Sequence, residues 1–333
     1  MSESIDYENL EKILYADMTN PEKKWFFSKF DTLTKLCELV VETLKTSNIK
    51  NEDYDYFVDI NESINKAISF FDYIDPNYGY MFQNILQEKN QSGHNSVIFL
   101  RANDYGGIRN SNVFRGDVTI EYSNNLGDVF EIVHEITHKF TSSSGQTGTF
   151  KGMLGEIPSI TMEFLLSDYL QKDNKFDEKE IKKYKLKRIS SSVNDACVIL
   201  TEKILFEIYS KHKRLTENMV KERIEQLDHD SIEYEIISEN FQDYLSTIVD
   251  RGCTTSIYRQ KYIYGIVFAS KIHQEILEDK NNFNLLKQLI HILGNGYNIS
   301  NKAYEFSDES IDDLKNALIM EVSDISKYKN AKI

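Results

Sequence analysis

The sequence predicts a mainly helical protein with one small β-sheet, on three observations. Long amphipathic runs fill most of the chain. Only 3 prolines and 14 glycines interrupt its 333 residues. A short stretch between about residues 94 and 124 changes to strand-like patterning.

Taken in order, Asn20 ahead of Pro21 and Glu22 marks a helix start, because an Asn side chain caps free amides and proline loses no hydrogen bond at the first helical position. From Pro21 to Lys45, Trp25, Phe26, Phe30, Leu33, Leu36, Val40 and Leu44 recur at helical spacing. A second helical run, Tyr54 to Tyr73, ends at Asp75-Pro76-Asn77. Ser96 to Leu100 reads as a buried strand, Asp104-Tyr105-Gly106-Gly107 as a turn, and Asp117 to Tyr122 as a half-buried strand of period two. Leu126 to Phe140 is helical again, as are the long charged segments Glu178 to His212 and Ser307 to Val322. There is no repeat, low-complexity tract or linker. The expected organisation is one compact unit over residues 1–333, with a helical N-terminal lobe at 1–92 and the chemistry carried by 93–333.

Composition narrows the function. A formal net charge of −14 repels phosphate backbones and anionic bilayers, so neither nucleic acid nor membrane is an expected partner. Cys37, Cys197 and Cys253 are odd in number and widely spaced, which reads as reduced thiols and not as a disulfide framework. The acidic N-terminus has no basic start followed by an apolar run, and the longest apolar stretches are too short to span a bilayer. The expected location is cytoplasmic. Twenty tyrosines and 19 phenylalanines point either to a ring-lined groove or, more plainly, to core packing.

The chemistry is carried by His134-Glu135-Ile136-Thr137-His138. Residues four apart share a helical face, so two imidazoles at this spacing reach one tetrahedral zinc at roughly 2.0–2.1 Å. Glu135 lies about 100° round the helix from His134, where a carboxylate reaches a water as general base. The bland alternative is two surface histidines on a charged helix. A preceding strand and a following glutamate argue against it. That glutamate is Glu156, in Gly155-Glu156-Ile157-Pro158-Ser159, after a small polar connection from Thr141 to Phe150 that lets the chain reverse. Glu163, seven residues on, lies on the same face two turns later and is placed as a residue orienting one of the histidines. His94, His212, His229, His273 and His291 have no metal spacing. The basic run Lys182 to Arg188 reads as one solvated helix face.

His134-Glu135-x-x-His138 together with Glu156-x-Pro158-Ser159-x-x-x-Glu163 resembles the thimet oligopeptidase and oligoendopeptidase F family of zinc peptidases. The resemblance covers roughly residues 95 to 295. It implies a zincin-like catalytic domain with a second, glutamate-bearing helix and a helical lobe. It implies one zinc per chain held by His134, His138 and Glu156, with Glu135 as general base in peptide-bond hydrolysis. The segment Ser256-Ile257-Tyr258-Arg259-Gln260-Lys261-Tyr262-Ile263-Tyr264-Gly265 is similar to the family's tyrosine-rich helix. This makes Tyr258 and Tyr262 the candidates for a phenol donor to the transition state, and Tyr264 a candidate for binding substrate. The expected partner is a peptide or small-protein substrate. Four departures stand out: Thr137 where the family usually has glycine, a shorter loop between the metal helices, Ser256 where it commonly has histidine, and a much shorter chain, consistent with a more open groove. A non-catalytic, peptide-binding member with an idle or structural zinc site is the alternative.

Overall fold

The computed structural model describes residues 5–20, 30–45, 56–89, 93–102, 112–114, 117–141, 154–173, 175–294 and 316–318. Asn20, expected to cap a helix start, closes the first helix, its amide donating to the Asp17 carbonyl at 3.2 Å. Pro21 with Trp25 and Phe26, the 104–107 turn, the polar connection between the two metal-motif helices and most of the 307–322 segment lie outside the described residues. Among the described residues four helices come first: α1 (Tyr7–Thr19), α2 (Phe30–Lys45), α3 (Ile60–Ile74) and α4 (Pro76–Gln87). Three described strands follow: β1 (Val97–Arg101), β2 (Asn112–Phe114) and β3 (Asp117–Tyr122). Then come α5 (Gly127–Thr141), α6 (Glu156–Gln171), α7 (Glu178–His212), α8 (Glu217–Glu225), α9 (Ile232–Arg251), α10 (Ser256–Glu278) and, after a 3-10 turn, α11 (Phe283–Gly294). The mainly helical class with a small sheet is as the sequence predicts.

Internal contacts divide the chain into two units, residues 1–48 with 189–267 and residues 49–188 with 268–333. The first ninety residues thus supply α1 and α2 to one unit and α3 and α4 to the other.

In the first unit α9 packs on α1 and α2. Its interior is built from Leu10, Leu14, Val40, Leu200, Ile204, Leu245 and Ile263, all shielded from solvent. Each such side chain contributes about 1.5–3 kcal/mol by leaving water. Gly252 ends α9 at φ +64°, a left-handed turn in which only glycine carries no Cβ penalty. The chain then enters α10 through a set of buried carboxylates. Asp17 accepts hydrogen bonds from the Thr254 amide and hydroxyl, and Glu202 accepts from the amides and hydroxyls of both Thr255 and Ser256.

The second unit holds the sheet, in the order β1-β3-β2, with β1 parallel to β3 (Val97 opposite Val118) and β2 antiparallel to it (Val113 opposite Val118). Helix α5 packs on the sheet and against α3, α6 and α11. Phe70, Phe71, Phe82, Phe130, Val133, Ile136, Met162 and Leu166 form the core between them. Helix α6 is buried nearly all round, as a central helix must be when it lacks a polar face. The fully buried phenylalanines here favour the core-packing explanation of the aromatic surplus.

One boundary differs from expectation. Helix α3 begins at Ile60, not Tyr54. The Tyr56 carbonyl accepts from the Leu126 amide and the Val58 amide donates to Asn124, so these residues are drawn out alongside the start of α5. The Asp59 carboxylate then caps the helix by accepting from the Asn61 amide at 2.9 Å.

Candidate metal centre

Helix α5 is positioned by its own start. The Asp128 carboxylate accepts from the amides of Ser123 and Asn125, and the Asn125 side chain accepts from the Gly127 amide, so strand β3 turns directly into the helix. Two turns later His134 and Glu135 are buried, and His138 is half-buried. Thr137, where the family pattern has glycine, is fully buried and donates its hydroxyl to the Val133 carbonyl at 2.7 Å, so the helix accommodates it without a break.

Glu156 opens α6. Its carboxylate stands at the helix N-terminus, where unpaired amides favour negative charge. Pro158 lies in the first turn, where its missing N–H takes no bond away. The arrangement brings three donors together. The Nε2 atoms of His134 and His138 are 3.0 Å apart, and Glu156 Oε2 lies 3.3 Å from the first and 3.4 Å from the second. This is a group that can hold a metal ion.

Behind the donors sits Glu163, buried, with its Oε1 hydrogen-bonded to His134 Nδ1. A ring whose Nδ1–H donates to a carboxylate is fixed in the tautomer that presents Nε2 as a ligand. Glu163 Oε2 and Glu135 Oε2 are both buried and accept no hydrogen bond. Orphaned carboxylate oxygens of this kind are costly unless something cationic or protic occupies the site, so the donor set fits a metal and a water.

A residue that sequence reasoning missed completes the cluster. Arg188 Nη2 stands 3.2 Å from His134 Nδ1, 3.4 Å from Glu163 Oε1 and 3.8 Å from Glu156 Oε2. The run Lys182 to Arg188 is therefore not a solvated face: Lys182 and Lys185 are buried, Tyr184 stacks on Phe130 at 3.8 Å, and Lys185 lies over the Phe164 ring at 5.0 Å. Its one ring, Tyr184, and its long lysine stems pack the first turns of α7 into the unit. No spacing rule reveals this, because the contact to His134 crosses fifty-four positions of chain.

The electrostatics follow from these contacts. Burial and Arg188 both press the His134 imidazolium down, but Glu163 and the hydrogen bonds to Glu156 and Glu163 outweigh them, and its pKa is pushed up to about 10. Burial lifts Glu135 above the usual carboxylate range against the pull of His134 and His138.

The tyrosine segment lies in the first unit. The Tyr258 and Tyr262 hydroxyls are 3.0 Å apart, with Lys261 over both rings, and Tyr258 is well exposed. Tyr264 is buried, and burial beside Cys37 pushes its phenol up to about 12. The cysteines are free thiols. Among the described residues no helix is long and apolar enough to cross a membrane.

No protein-family model matches the chain, and no curated protein matches it. Among solved structures it is similar to one named "putative peptidase" from Chlamydophila abortus, with a TM-score of 0.61 and 16% identity over 96% of this chain. That likeness is one of fold. The chain spans 57% of the other's length.

Proposed function

We propose that the protein is a zinc-dependent peptidase, with His134, His138 and Glu156 as metal ligands and Glu135 as general base. The observation that carries the reading is the donor triangle. Its edges of 3.0, 3.3 and 3.4 Å lie close to the roughly 3.3–3.4 Å that tetrahedral zinc bonds of about 2.0–2.1 Å require between ligand atoms. The fold likeness to a protein named a peptidase supports the same reaction class.

A bound zinc supplies Lewis-acid polarisation of a carbonyl and brings the pKa of a water to about 7. The chain's own residues do the rest. Glu135, lifted by burial, takes a proton from the attacking water and passes it to the amine nitrogen as the C–N bond breaks. Glu163 holds the His134 ring in place. The substrate class we propose is peptide, and the family pattern supports an oligopeptidase.

Metal content and hydrolysis test this together. The purified chain should carry about one zinc per molecule and cleave members of a peptide library, with chelation abolishing cleavage. Glu156→Ala should lose both metal and activity. A folded wild type that takes up no zinc would overturn the proposal. One that holds zinc but cleaves nothing would leave the peptide-binding alternative.

A further inference from the structure

We propose that Arg188 is a counterweight to the metal, a cation fixed behind the ligand set that keeps metal affinity below what His134, His138 and Glu156 would reach alone. The inference rests on the reading of this site as a zinc centre and concerns how readily that centre fills.

Three observations carry it. Arg188 is placed by construction: one turn before it Tyr184 stacks on Phe130 of the metal helix, Lys185 covers Phe164 of the glutamate helix, and Ile181 and Ile189 on either side are fully buried. These contacts fix the backbone from which the guanidinium reaches the cluster, and its carboxylate partners hold its free end there. Next, its contact with His134 is not an attractive one once Nε2 is a ligand. Nδ1 then carries the proton and donates it to Glu163, so the Arg188 N–H at 3.2 Å faces another donor. Its attraction is to the carboxylates, at 3.4 Å from Glu163 and 3.8 Å from Glu156. Finally, both consequences have the same sign. A carboxylate behind a ligating histidine makes the imidazole a stronger donor, and pairing Glu163 with a guanidinium weakens that push. A unit positive charge beside a ligand oxygen also repels a divalent cation directly. Occupancy of the centre therefore follows the free metal concentration more closely than an unopposed His-His-Glu site would.

The test uses the full chain. Zinc dissociation constants are measured by competition with a chromogenic chelator for wild type, Arg188→Lys, Arg188→Gln, Arg188→Met and Glu163→Gln. Removing the charge should tighten binding, on the order of tenfold, in both neutral variants. The glutamine retains an amide that can hydrogen-bond Glu163, and the methionine retains the packing, so one variant covers for the other if it folds poorly. Arg188→Lys should stay near wild type, and Glu163→Gln should bind more weakly. Neutral variants that bind zinc no tighter than wild type would overturn the counterweight while leaving the zinc centre intact. A wild type that does not bind zinc at all would overturn both.

Discussion

The two units each contain a cluster of buried carboxylates, and the clusters are built on opposite plans. Both oxygens of Glu202 are answered: four donors from Thr255 and Ser256 converge on its carboxylate, and two from Thr254 converge on Asp17. Around Glu135 and Glu163 one oxygen of each carboxylate is buried with no donor. Burial pushes both Glu202 and Glu135 up, so desolvation alone does not separate them. Saturation does. A saturated cluster fixes a helix start. An unsaturated one holds capacity for a cation, a water or a proton.

Breaking the comparison at its reactive end gives the largest effect. Glu135→Gln keeps the size of the side chain and the three ligands but cannot accept a proton, so peptide turnover should fall by about 10²–10⁴-fold with zinc content unchanged in the same samples. Equal loss of zinc would mean that Glu135 is part of the ligand set and not a base. The saturated end should respond in stability and not in chemistry. Glu202→Ala strands two amides and two hydroxyls at the start of α10, and denaturant unfolding should show a loss of about 3 kcal/mol while zinc affinity is retained. A stability change near zero would show that the cluster is not saturated in solution.

A third carboxylate, at the surface, sharpens the scale from below. Asp75 caps α4 by accepting from the Asn77 amide at 2.9 Å and pairs with Lys287 at 2.7 Å. The lysine and then the amide hold its carboxyl below the usual range. A lowered native pKa means that its stabilisation is present above the unfolded value and is lost as pH falls through the native one. Asp75→Ala should cost about 1 kcal/mol at neutral pH, and the gap to wild type should close on acidification. A gap that persisted at the lowest pH would assign the effect to packing.

Much of this was legible beforehand wherever the information was local. Asp117 to Tyr122 alternates with period two and is a strand over those residues, and Glu178 to His212 is one helix end to end. His134 and His138 share a helix, so spacing alone places their rings together. Other features are written in no local pattern. Tyr56 to Val58 carries helix-compatible residues, yet backbone bonds to residues 124–126 draw it out. Arg188 sits in a lysine-rich run whose default is solvent, and Glu202 meets Ser256 across a span no periodicity samples. Such contacts depend on which helices end up side by side, and that is decided by the whole core.

His138 and Glu156 stand eighteen positions apart, on α5 and α6. A metal joining them closes a short loop, and each doubling of such a loop adds only about 0.6 kcal/mol to its closure. By that relation, added chain length between the two ligands costs the centre little. Sequence length there can change while α5 and α6 keep the three donors in register.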